Sequence, residues 1–184
     1  MKFFIVTQNF PPKIGGIQTV MFSLARDLTS MGHEVHVFPD HLFLGVDTFR
    51  VSNLIAPKIF RQYIKKLLLS IKGHKESIII CDTWKSVNAV PKKFKNIILF
   101  AHGQEYLKIK NKNKILSSLL RTKILITSSK YTLDLIKKNW NVTNISANVL
   151  YPTYHIKKLF YENRPLNKVT NFISICRIEK RKGL

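Results

Sequence analysis

The sequence has 184 residues, and its 45% hydrophobic and 11% aromatic content excludes an intrinsically disordered chain. Its 31 lysines and arginines outnumber its 10 aspartates and glutamates, giving a formal net charge of +21. Such charge attracts phosphates in nucleic acid, anionic lipid or small molecules, although a solvated lysine-rich surface gives the same count. No apolar stretch approaches the roughly 20 residues of a membrane-spanning helix, and the sequence lacks the motifs of sequence-specific nucleic-acid binding. We therefore expect no specific nucleic-acid partner.

The first forty residues predict a strand, a loop, a helix and a second strand. The continuous apolar run at 3–7 is typical of a buried parallel strand. It is too short for the apolar core of an export signal, so we expect a cytoplasmic protein. After a loop at 10–16, apolar residues recur at helical spacing from Ile17 to Met31, and the segment 34–38 alternates as a strand. A right-handed parallel crossover is the expected connection.

The same alternation continues to residue 150. We predict further strands near 47–51, 77–81, 96–101, 123–127 and 145–150, and helices near 58–72, 112–120 and 130–139. This order indicates an α/β fold with a Rossmann-like, doubly wound, mainly parallel sheet, in which ligands bind at the carboxyl ends of the strands. Cys81 and Cys176 each end an apolar run, so we expect buried reduced thiols. Neither has a nearby Cys or His at ligand spacing, so we expect no metal site.

Two features at predicted strand ends are candidates for chemistry. Gly15 and Gly16 stand at the entrance of the first helix, where a ligand can approach the backbone and an anion can meet the helix N-terminus. A tight turn alone would also explain them, and neither dinucleotide nor P-loop spacing is completed. His102 follows the buried strand 96–101 and precedes a glycine. From the residues alone, this histidine is either structural or part of a site.

The last 32 residues of the chain predict a change of domain. We assign residues 1–152 to one domain and 153–168, with a proline and several charges, to a linker. Residues 169–184 contain an apolar strand and a basic loop. A lone strand has no hydrophobic partner of its own, so we expect this segment to be the truncated start of a second domain.

Three segments near the start resemble the opening of glycosyltransferase family 4: residues 9–17, 24–28 and 32–37. Enzymes of that family have two Rossmann-like domains facing across a cleft, the GT-B architecture. The resemblance therefore implies that this chain is the N-terminal half of such an enzyme. It also implies that Gly15 and Gly16 belong to the loop that lies against the donor or acceptor.

Three later segments resemble the same family in the same order. Residues 99–105 resemble its strand ending in His-Gly, which implies that His102 reaches the donor sugar near the reacting carbon. The turn at 127–131 resembles one that precedes a helix near the cleft, although its serines are more simply helix caps.

The last of these segments, residues 172–184, resembles the first strand and Arg-x4-Lys loop of the second domain. This implies that Arg177 and Lys182 hold the donor diphosphate, which the guanidinium fork and the ammonium charge suit. The family's E-x7-E pair does not follow Lys182. We therefore expect the chain to be inactive without a C-terminal half, which a separate chain could supply.

The resemblance implies transfer of a sugar from a nucleotide-diphosphate sugar to a surface-glycan or lipid-linked acceptor. The nucleotide sugar is a substrate, and no cofactor is expected. The alternative is a non-catalytic basic module that binds anionic lipid or glycan.

The predicted helix at 58–72 bears on these alternatives. An apolar face is opposed by a basic one; the apolar residues are Ile59, Phe60, Tyr63, Ile64, Leu67, Leu68 and Ile71, and the basic ones are Lys58, Arg61, Lys65, Lys66 and Lys72. We expect the apolar face to pack on the sheet, with the lysines in water. The other interpretation is a helix on the inner surface of a membrane, which would suit a lipid-linked acceptor.

Overall fold

The computed structural model describes residues 1–45, 47–107, 111–141 and 145–151. The predicted linker at 153–168 and the predicted start of a second domain at 169–184 lie outside these residues, as does Cys176.

The described residues form strands and helices that alternate along the chain. The strands are β1 (Lys2–Val6), β2 (Glu34–Phe38), β3 (Arg50–Val51), β4 (Ile78–Cys81), β5 (Ile97–Ala101), β6 (Ile124–Thr127) and β7 (Ser146–Val149). The helices are α1 (Gly16–Ser30), α2 (Lys58–Lys72), α3 (Trp84–Asn88), α4 (Gln104–Leu107), α5 (Lys112–Leu120) and α6 (Lys130–Trp140).

The seven strands form one sheet in the order β3-β2-β1-β4-β5-β6-β7, and every pairing is parallel. This confirms the predicted fold class, an α/β fold with a Rossmann-like, doubly wound parallel sheet. All the strands and helices predicted before residue 151 are present. The short helices α3 and α4 were not predicted, because five and four residues are too few to show a helical period.

The pleat of the sheet divides the core into two layers. On one face, Phe4 and Val6 of β1 pack in a layer that also holds Leu69 of α2 and residues of α3, α5 and α6. On the other face, Phe3 and Ile5 pack in a layer with residues of α1. Neighbouring residues of one strand thus point to opposite faces, which is why both sets must be apolar.

Helix α2 packs opposite to the prediction. Its five most outward apolar side chains are exposed: Ile59, Phe60, Tyr63, Leu67 and Ile71. The side chains that α2 buries are Leu69 and Lys65, while Ile64 and Leu68 are half-buried. The expectation that the whole apolar face packs on the sheet was wrong. The physical reason is that Lys65 satisfies two oxygens at the sheet edge, described below, and so fixes which side of α2 faces inward.

The strand order reverses at β1 and β4, which are neighbours at the centre of the sheet. Chain connections leave these two strands in opposite directions, which opens a crevice above their carboxyl ends. The loops that follow β1, β4 and β5 meet at this edge. They carry the residues of the candidate site.

Candidate functional site at the carboxyl edge of the sheet

A buried carboxylate organises the crevice between β1 and β4. Val6 pairs with Cys81, so the next residues, Thr7 and Asp82, emerge side by side. Asp82 is fully buried. Its Oδ2 accepts hydrogen bonds from Thr7 Oγ1 at 2.8 Å, from the backbone N–H groups of Gln8 and Asn9 at 3.0 Å, and from Asn9 Nδ2 at 2.9 Å.

The other carboxylate oxygen reaches the next helix. Asp82 Oδ1 accepts from Ser86 Oγ at 2.5 Å, and Ser86 is the third residue of α3. One carboxylate therefore joins the start of the β1–α1 loop to α3. Because the acceptor is charged and the surroundings are dry, these hydrogen bonds are of the stronger kind.

Lys65 reaches the same edge from α2. Its side chain is 2% exposed, and Nζ donates to the Thr7 carbonyl at 2.7 Å. Nζ also pairs with the Asp40 carboxylate, which follows β2, at 2.5 Å. Burial lowers the pKa of Lys65, and the nearby Asp40 carboxylate opposes that effect. The expectation that this lysine lies in water was wrong.

Gly15 and Gly16 lie where the sequence predicted, at the entrance of α1. Gly15 is the N-cap and has an extended backbone, so its φ of 164° does not itself demand glycine. No side chain caps the helix, and a Cβ on Gly16 would meet nothing within 4 Å. There is therefore room for a ligand beside Gly16, whereas at Gly15 the Gln18 side chain lies close, with Oε1 2.5 Å from the position of a Cβ. Their part in binding stays a prediction.

His102 follows β5 at the same edge. Its side-chain Nε2 is buried and has no hydrogen-bond partner among the described residues. Burial lowers the pKa of His102, while the Asp82 carboxylate weakly opposes this shift, so the ring is neutral near pH 7. A buried nitrogen without a partner is costly in a folded protein and is filled by a ligand or an ordered water in many sites.

The turn after His102 is sterically constrained. Gly103 has a φ of 104°, and a Cβ there would lie 3.0 Å from Thr132 Oγ1, so both conformation and space favour glycine. The His102 backbone nitrogen lies 3.5 Å from Glu105 Oε1. Burial raises the pKa of the Glu105 carboxyl. The backbone of the His-Gly turn is thus constrained at His102 by Glu105 and at Gly103 by Thr132.

A groove of about 580 Å³ opens beside this edge, between α2, α3 and α5. Its lining is made of amides, two lysines, a serine and a tryptophan: Gln62, Trp84, Lys85, Asn88, Asn111, Asn113, Lys114 and Ser117. Among the described residues, the lining contains no carboxylate. Side-chain amides and hydroxyls suit the hydroxyl groups of a sugar, and the lysines suit a negative charge.

Several predicted features are not tested by this geometry. Arg177 and Lys182 lie outside the described residues. Within the described residues, no three His, Cys, Asp or Glu side chains are grouped as metal ligands. Cys81, by contrast, is found where it was predicted, as a buried thiol, and burial raises its pKa. None of the helices in this part of the chain is long and apolar enough to cross a bilayer.

Asp82 and Lys65 are the residues of the candidate site that the sequence analysis missed. Asp82 carries the same signal that singled out His102, because it is the first polar residue after a buried apolar run. Lys65 carries none, since its position in the helical period placed it among solvated lysines. Its partner Thr7 is 58 residues away in the chain.

Comparison with known proteins assigns the family. The model of Glycosyltransferase Family 4 matches residues 14–158. Among solved structures, sucrose-phosphate synthase from Thermosynechococcus elongatus superposes with a TM-score of 0.62 at 14% identity, over 82% of this chain and 47% of that one. The chain thus spans about half the length of that enzyme, and the likeness supports the fold. A search of curated proteins found no match. The sequence resemblance is confirmed, and the chain belongs to glycosyltransferase family 4.

Proposed function

We propose that this chain is the N-terminal, acceptor-side part of a cytoplasmic enzyme that transfers a sugar from a nucleotide-diphosphate sugar to a surface-glycan or lipid-linked acceptor. The proposal rests on the environment of His102, together with the membership of the chain in glycosyltransferase family 4. This histidine presents a neutral imidazole with an unpaired, buried Nε2 at the carboxyl end of β5.

In the proposed mechanism, His102 binds the transferring sugar through a hydrogen bond. A neutral imidazole nitrogen either donates to or accepts from a sugar hydroxyl, depending on its tautomer. Because this nitrogen is buried and the turn at Gly103 is sterically constrained, we expect little reorganisation when the sugar arrives. The imidazole supplies orientation and a dipole.

The glycine loop and the second-domain segment would share the phosphate charge. The Asp82 carboxylate fixes the start of the β1–α1 loop through the Gln8 and Asn9 amides, and the uncapped N-terminus of α1 presents further amides near Gly16. We assign donor diphosphate binding to Arg177 and Lys182, which would offset the charge of the leaving group.

The acceptor is assigned to the groove between α2, α3 and α5. The groove adjoins the carboxyl edge, since Trp84 and Lys85 follow Asp82 by two and three residues. Amide side chains would bind the glycan hydroxyls, and Lys85 and Lys114 would favour an acceptor that carries phosphate or carboxylate. A lipid-linked acceptor has both a sugar and a phosphate, and it would place the enzyme at the inner face of a membrane.

A transferase assay tests the proposal. The 184-residue chain would be incubated with labelled nucleotide-diphosphate sugars and a membrane extract, both alone and together with a donor-binding domain of the same family. We expect no turnover by the chain alone and transfer by the combined preparation. His102→Ala should lower kcat/KM by about 100-fold, as expected for one lost hydrogen bond to the transition state.

His74→Ala is the matched control, because His74 is exposed and lies between α2 and β4, away from the carboxyl edge. It should leave kcat/KM unchanged. Turnover by the chain alone would contradict the need for a second half. Equal effects of the two histidine variants would remove His102 from the site.

A non-catalytic module that binds anionic lipid or glycan is the second candidate function. The groove without carboxylates and the exposed apolar side of α2 favour it. A result would favour this second function if the combined preparation transferred no sugar from any donor while the chain still bound anionic vesicles or glycans.

A further inference from the structure

The outer side of α2 carries a continuous apolar strip. Ile59, Tyr63, Leu67 and Ile71 recur every fourth residue, and Phe60 lies beside the first of them. These five side chains are between 56% and 74% exposed. We call them the α2 stripe. Side chains three and four positions apart are neighbours on a helix surface, so the stripe is one patch rather than five isolated residues.

The outward direction of the α2 stripe is fixed by what lies beneath the helix. Lys65 points to the opposite side, where Nζ binds the Thr7 carbonyl and the Asp40 carboxylate. Leu69, one turn later, is fully buried on the same inner side. Rotating α2 to bury the stripe would pull Lys65 away from both oxygens and leave Asp40 without its partner. The fold therefore holds the stripe toward the outside.

The three helices that line the groove carry basic residues and no acidic ones. Helix α2 carries five basic residues and no acidic one, and neither α3 nor α5 contains an acidic residue. Lys66 is exposed beside the stripe, and Lys85, Lys112 and Lys114 are exposed on the two neighbouring helices. A second copy of this chain, with its charge of +21, would be repelled from such a surface. An apolar strip with basic side chains beside it on the same helix and on neighbouring helices is instead typical of a helix lying in the plane of an anionic membrane.

We propose that the α2 stripe docks this protein on an anionic lipid surface. The apolar side chains enter the boundary between head groups and acyl chains, and the lysines contact lipid phosphates. Gln62 of α2 also lines the groove shared with α3 and α5, so docking brings that groove to the membrane. The biological purpose of this docking rests on the proposed transfer to a lipid-linked acceptor. The observations behind it are those of α2 and of its neighbours α3 and α5, and they do not depend on that transfer.

Vesicle co-sedimentation of the 184-residue chain tests the docking. Vesicles of phosphatidylcholine with phosphatidylglycerol should bind the protein, and vesicles of phosphatidylcholine alone should bind it far more weakly. The triple variant Tyr63→Gln, Leu67→Gln and Ile71→Gln keeps every charge and should bind the anionic vesicles roughly 100-fold more weakly, because three apolar side chains no longer leave water.

The matched control replaces three equally exposed apolar residues elsewhere. Met31, Leu120 and Tyr131 are 69%, 70% and 68% exposed, against 72%, 61% and 71% for Tyr63, Leu67 and Ile71. Their triple Gln variant should bind as the parent protein does. Both variants should keep the parent's circular dichroism, since all six side chains lie on the surface.

Salt and fluorescence separate insertion from simple charge attraction. The Debye length falls from about 8 Å at 0.15 M salt to about 3 Å at 1 M, so binding by charge alone should vanish at the higher salt while inserted apolar side chains keep part of it. Tyr63→Trp should be quenched by brominated acyl chains, and Tyr131→Trp should not.

Three results would overturn the proposal. The first is equal binding by the two triple variants, and the second is equal quenching of the Tyr63→Trp and Tyr131→Trp variants. The third is no vesicle binding by the parent chain. The last result would point to a protein partner for the α2 stripe. None of these measurements involves a nucleotide sugar, so a failure of docking is distinguishable from a failure of glycosyl transfer.

Discussion

Helices α1 and α2 are both 15 residues long and lie in the two core layers on opposite faces of the same sheet, but they present opposite kinds of surface to solvent. The residues that α1 buries are Met21 and Ala25, and those it exposes are polar or glycine. Helix α2 buries a lysine beside Leu69 and exposes five large apolar side chains. The large apolar side chains of α1 are all buried or half-buried within the domain. Those of the α2 stripe are exposed, so they would gain from an apolar surface outside it.

The difference comes from polar groups at the carboxyl edge of the sheet. Beneath α2, the Thr7 carbonyl and the Asp40 carboxylate both need a donor, and a buried acceptor without one costs about 1–3 kcal/mol, more when charged. A lysine on the inner side of α2 meets both needs. The side of the helix that carries the apolar residues must then face away.

Removing that lysine should have the largest effect on stability. Lys65→Ala leaves the Asp40 carboxylate with only the long hydrogen bond from Gln8 Nε2 at 3.5 Å, and breaking a buried ion pair on one side costs about 3–5 kcal/mol. Urea unfolding measures this loss. Lys66→Ala, on the exposed side of the same helix, is the control and should change stability by less than about 0.5 kcal/mol. If the two variants unfold alike, Lys65 does not anchor α2.

A pair of apolar truncations tests the contrast between the two helices directly. Met21→Ala on α1 removes a fully buried side chain and should cost about 2–3 kcal/mol, through lost burial and the cavity left behind. Leu67→Ala on α2 removes a side chain that is 61% exposed and should change the free energy of unfolding by less than about 0.5 kcal/mol. A cost for Leu67→Ala near that of Met21→Ala would mean that the α2 stripe is covered in solution.

Much of this fold could be predicted from the sequence, because its strands are continuous apolar runs. The segments that became β1, β4 and β5 could hardly be placed elsewhere than in the middle of a sheet covered on both faces. The same reasoning located His102, since a polar residue after such a run stands at the edge where ligands bind. Asp82 satisfies that rule equally well and could have been found with it.

The inward side of α2 could not be predicted in this way. A helical period shows that apolar residues share a side, but it does not show which side meets the sheet. That choice depended on oxygens of Thr7 and Asp40, which are distant from Lys65 in sequence and come near it only after the sheet has formed. Long-range polar contacts of this kind leave no local pattern. These contacts determine the orientation of α2, which is the helix that differs most from the prediction.

The smallest expected effect concerns the end of α2 and depends on pH. His36 of β2 lies with Nε2 2.9 Å from Ser52 Oγ, and that hydroxyl also accepts from Lys72 Nζ in the last turn of α2 at 3.0 Å. Burial, followed by the charge of Lys72, lowers the pKa of His36 from 6.5 to about 4. The unfolded chain therefore binds a proton at a pH where the folded chain does not. The stabilisation is complete above pH 6.5 and is lost as the pH falls toward 4.

We expect this titration to remove about 2 kcal/mol of stability between pH 6.5 and 4, because each unit of pKa shift corresponds to about 1.4 kcal/mol and partial solvation reduces the total. Carboxylates titrate in the same window, so the informative quantity is the difference between the parent protein and His36→Gln in urea unfolding at each pH. The variant should show the shallower dependence. Lys72→Met should raise the His36 pKa in an NMR titration, because it removes the nearest positive charge named above. An unchanged His36 pKa in that variant would show that the end of α2 does not control the ring, and would confine the influence of this helix to the contacts of Lys65.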